Sequence, residues 1–352
     1  MRRPPAIAVI ALFTLAPAAH AGSDAKPAAS AAPLREAAFD VPAPSEVVAA
    51  ISASCEPCDW GIPGQEAAAL RLTVDGRYSQ HLYLARGGSR STYRVMLGPL
   101  AKGKHTLSLL RDAQASARGA GPASIHDVSL EMHAAGSPEA EALALAPILY
   151  ARPNTLGKFS DLPLLMWSET DRTDGGSRLR YSVVFSNEDG GTPADRLLAT
   201  WGRLTDVEYV YGIELDGSGR VVEETYQGKD HEIVGFKGRR EGRHPLLYVV
   251  TDNNMVSAAG VTQERYAPAP QAFDLKDASR EKVMDENPWT YAITAKEARR
   301  EGRVTTSPEP GSKRIFDPRR YAVVEICTES DDTTFATFTF ALGLGAGTSR
   351  RF

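Results

Sequence analysis

After its first twenty residues the sequence has no apolar run approaching the roughly 20 residues a membrane-spanning helix needs. A helical membrane protein is excluded for that part of the chain. Also missing are the G-x-x-x-x-G-K-[ST] phosphate loop, the H-E-x-x-H zinc helix and the G-x-S-x-G nucleophile turn. Those gaps remove the nucleotide hydrolases, metalloproteases and serine hydrolases that sequence can announce. Cysteine is scarce, at 3 in 352 residues, and the 7 histidines show no paired spacing. A structural zinc site needs four such ligands, so none is expected. Basic residues are not in excess, 40 against 44 acidic. That balance argues against a nucleic-acid partner and an anionic membrane surface.

What is present begins with "MRRPPAIAVIALFTLAPAAHA". Arg2 and Arg3 precede the apolar run Ala6 to Ala16, and Ala19-His20-Ala21 closes it with small residues. This order predicts a secretory signal peptide over 1–21, and hence a protein of the periplasm or the cell exterior. Its removal would take two basic residues and no acidic ones, making the remainder more acidic. Residues 22–45 are rich in Ala, Pro and Ser and predict a flexible tether, with Phe39 as its one docking point.

From Glu46 onward short runs recur about every ten residues: "VVAAISAS", "AALRLTVDG", "QHLYLA", "TYRVMLG", "HTLSLLRD" and "SIHDVSLEMH". Leu70, Leu72 and Val74 alternate onto one face, as do Leu107 and Leu109, and "DGR" and "RGGS" supply turns. The pattern predicts a small antiparallel β-sandwich over 46–134, followed by a linker at 135–146. A larger domain over 147–352 continues in strands, from "PILYAR" through "RLRYSVVFSNE" and "DVEYVYGIELD" to "HPLLYVVTD". Two short helices interrupt it. One is capped by Thr192 with Pro193 in its first turn, and the other opens on the capping box Thr294-x-x-Glu297. The fold class is mainly β: two β-sandwich, jelly-roll-like domains with a few short helices.

Cys55 and Cys58 stand as C-x-x-C in "SCEPCDWGIPG". A thioredoxin-type centre needs this motif at a helix N-terminus, and Pro63 with the neighbouring glycines opposes a helix. In an oxidising compartment a local Cys55–Cys58 disulfide is the expected state, with Cys327 left free. A bond from Cys327 to one of the pair is the alternative.

Asp206 and Glu208 share one face of a strand, and Asp230 with His231 follows on the next. Together with Asp252 they could hold a divalent cation, calcium or magnesium, through oxygen and imidazole donors. The plainer alternative is a row of acids facing water above a buried strand. Trp60, Tyr78 and Tyr83, or Trp167 and Trp201, could stack on sugar rings where exposed.

Two resemblances bear on function. "DVEYVYGIELD…KDHEIV…GRHPLLYVVTDNN" resembles the β-sandwich family of necrosis-inducing secreted proteins and vacuolar-sorting-type domains. Asp206-Val207-Glu208 matches its Asp-x-Glu strand start, and Gly242 to Pro245 with Tyr248 and Val249 matches a later strand. Val207 stands where that family has Trp, and "GRLT" precedes Asp206 in place of "GHRH". The resemblance implies a sandwich, with any cation on Asp206, Glu208 and Asp252. Residues 68–112 resemble jelly-roll accessory modules of exported glycan-active proteins. The expected function is a non-catalytic exported or envelope protein that recognises a glycan or another surface component such as an envelope protein. The alternative is a metal-dependent hydrolase or secreted effector with its site in 200–255.

Overall fold

The computed structural model describes residues 32–188, 192–307 and 313–318, and the backbone of 341–343 and 349–351. Seven strands build the first sandwich: β1 (Arg35–Val41), β2 (Ser45–Cys55), β3 (Ala69–Val74), β4 (Arg77–Tyr83), β5 (Ser91–Leu100), β6 (Gly103–Asp112) and β7 (Ala123–Ala134). They form a four-stranded sheet in the order β1-β6-β3-β4 and a three-stranded sheet in the order β5-β2-β7. The alternation in sequence explains the packing between them. Leu70, Leu72, Leu107 and Leu109 from one sheet meet Val47, Ile51, Val95 and Leu97 from the other. Each fully buried aliphatic side chain contributes roughly 1.5–3 kcal/mol. The stretch expected as a tether is different from residue 35 on. It pairs along its whole length with β6, and Phe39 and Val41 pack on the sandwich core. Its alternating Ala37, Phe39 and Val41 set that face, beneath a composition that reads as linker.

Cys55 ends β2 and is bonded to Cys58, with 5.4 Å between their Cα atoms. The loop doubles back tightly enough that a Cβ on Gly121 would fall 2.1 Å from the Glu56 carbonyl oxygen. Cys327 lies outside the described residues, as does the aromatic segment around Phe338 and Phe340.

The linker is also structured. Ser137 caps α1 (Pro138–Ala144), its hydroxyl accepting from the Ala140 N–H at 3.0 Å. A Ser-Pro pair before an Ala-rich run is a helix start that a composition-based boundary passes over.

The second sandwich sets β8 (Ile148–Tyr150) against a larger sheet that begins with β9 (Pro163–Thr173), β10 (Gly176–Phe185), β11 (Val207–Asp216), β12 (Val221–Gln227) and β13 (Ile233–Gly235). Beside β8 lie β14 (Arg240–Glu241), β15 (His244–Val249), β16 (Val256–Ser257) and β17 (Arg265–Tyr266), and β18 (Gln271–Ala272) joins the edge at β9. Leu179, Val183, Tyr211 and Ile213 from the large sheet share a core with Leu149, Leu247 and Tyr248 from the small one. Val48 and Met96 of the first sandwich enter that same core. The backbone of 267–269 hydrogen-bonds beside β5, and buried His244 joins the Ala146 carbonyl and Glu46. The two sandwiches accordingly belong to one compact unit.

Helix positions shift from expectation. α2 (Ala194–Trp201) starts one residue late, with Pro193 as an N-cap that makes no side-chain bond. After α3 (Glu281–Asp285), α4 (Trp289–Arg300) begins well before the expected capping box. Thr294 and Glu297 are buried in mid-helix, where Thr294 back-bonds to the Tyr291 carbonyl and Glu297 accepts from the Trp60 indole at 2.7 Å. Among the described residues no helix is long and apolar enough to cross a membrane.

Candidate functional site

An open cleft of ≈ 740 Å³ lies where β11 begins, walled by the end of α2, the turn after β15 and the start of α3. Its floor is the Asp206 carboxyl and its neighbour Glu208. Asp206 is only 5% exposed because it sits just before the strand, where Asn254 covers it. Asn254 is fully buried in the left-handed backbone region, at φ 58°. Its amide donates to Asp206 Oδ2 at 3.2 Å, to Asp161 Oδ1 at 3.2 Å and to the Asn187 carbonyl at 3.0 Å, while its own oxygen is buried without a partner. Behind it Arg152, 2% exposed, holds Asp161 at 2.8 Å.

Burial pushes the Asp206 carboxyl up to about 10, and the charges of Glu208 and Glu188 add to the effect. Glu208 is also raised, chiefly by burial, with Asp206, His231 and Gln227 acting in the opposite direction. Two carboxyls in one desolvated place cannot both ionise, so Asp206 keeps its proton and donates it to Glu208. Gln227 donates a second bond to Glu208 at 2.6 Å and lies 3.1 Å from His231 Nδ1.

The expected ligand set divides. Asp206, Glu208 and His231 line the cleft together. Asp230 is on the exposed 3-10 turn at 229–231 and is not part of the wall. Asp252 points the other way, 64% exposed, with its carboxylate 2.6 Å from Arg152 Nη1. The two carboxyls have different partners, Asn254 for Asp206 and Arg152 for Asp252. Among the described residues no group of three or more His, Cys, Asp or Glu is arranged to hold a metal ion. The raised carboxyl pair is nonetheless the environment a cation would relieve, by displacing the shared proton.

The aromatics also divide. Trp60 is wholly buried, its edge toward Phe159 and Arg300 over its ring at 5.2 Å. Tyr83 is 7% exposed and donates to Glu264 at 2.8 Å. Both are core, because the clipped loop and β4 face the second sandwich instead of solvent, and neither offers a ring to a sugar. Tyr78 is half-buried, bonded to His81 at 2.7 Å and covered by Arg71. Trp167 is buried as well, whereas Trp201 is 41% exposed on the rim of the acid cleft. Arg203 steadies the Trp201 ring from 4.9 Å and is itself held by Glu281 at 2.9 Å. Sequence alone did not single out Gln227, Asn253 or Arg280 as cleft residues. They arrive from three separate segments, and only the adjacent Asn253 and Asn254 carry a local signal, the amide-rich turn that tolerates positive φ.

No protein-family model and no curated protein matches the chain. Among solved structures, NLPPya in complex with glucosamine is similar at a TM-score of 0.29 and 11% identity, over 45% of this chain and 92% of that one. The necrosis and ethylene inducing protein 2 from the causal agent of cocoa's Witches Broom disease gives 0.28 and 11%, over 46% and 84%. The sugar-binding EclA C-terminal domain gives 0.22 and 16%, over 28% and 66%. These amount to a weak resemblance to necrosis-inducing proteins and to a sugar-binding domain. At such TM-scores no functional argument rests on them.

Proposed function

We propose that the protein is a non-catalytic carbohydrate-binding protein, exported to the periplasm or cell exterior, and that the acid cleft is its glycan site. The observation that carries this reading is the exposed Trp201 ring standing at the rim of a cleft floored by Glu208 and Asp206. A pyranose offers an apolar face of C–H groups and a ring of hydroxyls. The indole suits the first, and carboxylate and amide side chains suit the second. Gln227 and Asn253 supply amides beside the carboxyls. The basic and apolar start of the chain, ending in Ala19-His20-Ala21, supports export. The test is retention on a panel of immobilised polysaccharides and glycans. Wild type should be retained and Trp201→Ala released, with unchanged thermal unfolding. No retention of wild type on any glycan would contradict the reading and favour an envelope protein as partner.

A second reading is favoured by the carboxyl pair alone: a calcium or magnesium ion bridges the cleft floor and the ligand hydroxyls. The pair Asp206 and Glu208 would hold it, with ligand hydroxyls completing its coordination. Added calcium or magnesium should then raise the unfolding temperature of wild type and leave Asp206→Asn unmoved. An equal response of the two proteins would remove the cation from the account.

A further inference from the structure

A second pocket, of ≈ 180 Å³, opens between β4 and β5, residues 162–166 and α4. It shares no lining residue with the acid cleft. Its wall is apolar, built from Leu82, Leu164, Met166, Pro268 and Ile293, and no Asp or Glu lines it. Two guanidiniums do, those of Arg86 and Arg94. Arg86 lies 3.6 Å from the centre of the Trp289 ring and 5.4 Å from that of Tyr93. Among the described residues no hydrogen bond or ion pair is made by this side chain, and its Nε is buried with no acceptor. Burial lowers its pKa, the mark of a charge short of a counterion. The other basic groups on the wall are engaged: Arg94 with Glu131, and His81 with Asp112 at 3.2 Å.

A guanidinium presents a planar fork that fits a carboxylate in two parallel hydrogen bonds. Half-buried against aromatic rings and beside an apolar wall, it has lost part of its water without gaining an anion, which is costly unless a ligand completes it. One cation matches one negative charge, so a doubly charged phosphate is disfavoured. The wall demands an apolar body of modest size.

We infer that this pocket binds a small organic monocarboxylate, its carboxylate on Arg86 beside Trp289 and its apolar body against Leu164, Met166 and Ile293. The ring contact gives a direct signal, because Trp289 fluorescence responds to an occupant. Phenylacetate titrated into the full chain should bind saturably, and phenylacetamide, with the same body and no charge, should not. Arg86→Gln should weaken phenylacetate by about tenfold or more, and Arg86→Lys should restore part of the loss. Thr92→Phe, on the exposed rim of the pocket, should block entry with Arg86 intact. Equal binding of acid and amide, unchanged binding by Arg86→Gln, or no saturation in the millimolar range would each overturn the inference. Should Arg86→Gln fail to fold, the acid–amide pair on wild type and Thr92→Phe still decide it.

Discussion

The acid cleft and the Arg86 pocket are opposite solutions to charge in a partly dry place. In the cleft, two carboxyls are crowded together and one must keep a proton. In the pocket, a single cation is boxed by rings with no acid beside it. Other charges of the first sandwich are settled in local pairs. His105 meets Asp75 at 2.7 Å, and His81 meets Asp112. Each of the two cavities thus holds an unsettled charge, and there a ligand has something to neutralise.

The comparison breaks most severely at the wall behind the cleft. Arg152→Ala would take away the guanidinium paired with buried Asp161, next to the Asp206 cluster. It is expected to destabilise by about 3–5 kcal/mol, visible as a lowered denaturant midpoint. A loss under about 1 kcal/mol would mean that the buried pair adds little there.

Asp206→Asn should act in the other direction. Below an unfolded value near 3.8 both states of wild type carry the proton. As pH rises toward about 10 the unfolded chain ionises first, so stability falls across that window. The amide cannot ionise, and the variant should gain about 1–2 kcal/mol at pH 8 and lose most of the pH slope. Chemical denaturation at pH 5 and pH 8 measures it, and an unchanged slope would relocate the proton.

The pocket should be nearly indifferent. Arg86→Gln removes a ring contact and no ion pair, so the expected loss is about 1 kcal/mol. A loss comparable to that of Arg152→Ala would show that the guanidinium is a structural clasp. Smallest of all is Asp252→Ala, because its carboxylate is mostly exposed and Arg152 keeps Asp161. About 0.5 kcal/mol or less is expected, together with an unaltered response to calcium or magnesium.

Much of the strand framework was legible because alternation is a local property: Leu70 and Leu72, or Leu107 and Leu109, declare their face within five residues. The clip was legible for the same reason, since Cys55 and Cys58 are three apart with helix-breaking flanks. β1 and α1 were hidden by composition, where Ala-rich stretches read as linker until a partner strand or a Ser-Pro cap is counted. In the cleft, Asp206 and Glu208 were visible as a pair on one strand. Whether Asp230 and Asp252 join them depends on two left-handed turns, at 230–231 and at Asn254, that reverse a side chain in a single residue. Burial of Trp60 could not be read either, for its partner Glu297 is 237 residues away.

The most direct test of the glycan reading is calorimetric titration of a retained glycan into wild type, Trp201→Ala and Glu208→Gln. Saturable heat with wild type, lost in Trp201→Ala and weakened in Glu208→Gln with the fold intact, is the predicted result. Equal affinity in all three proteins would place the ligand elsewhere and contradict the account.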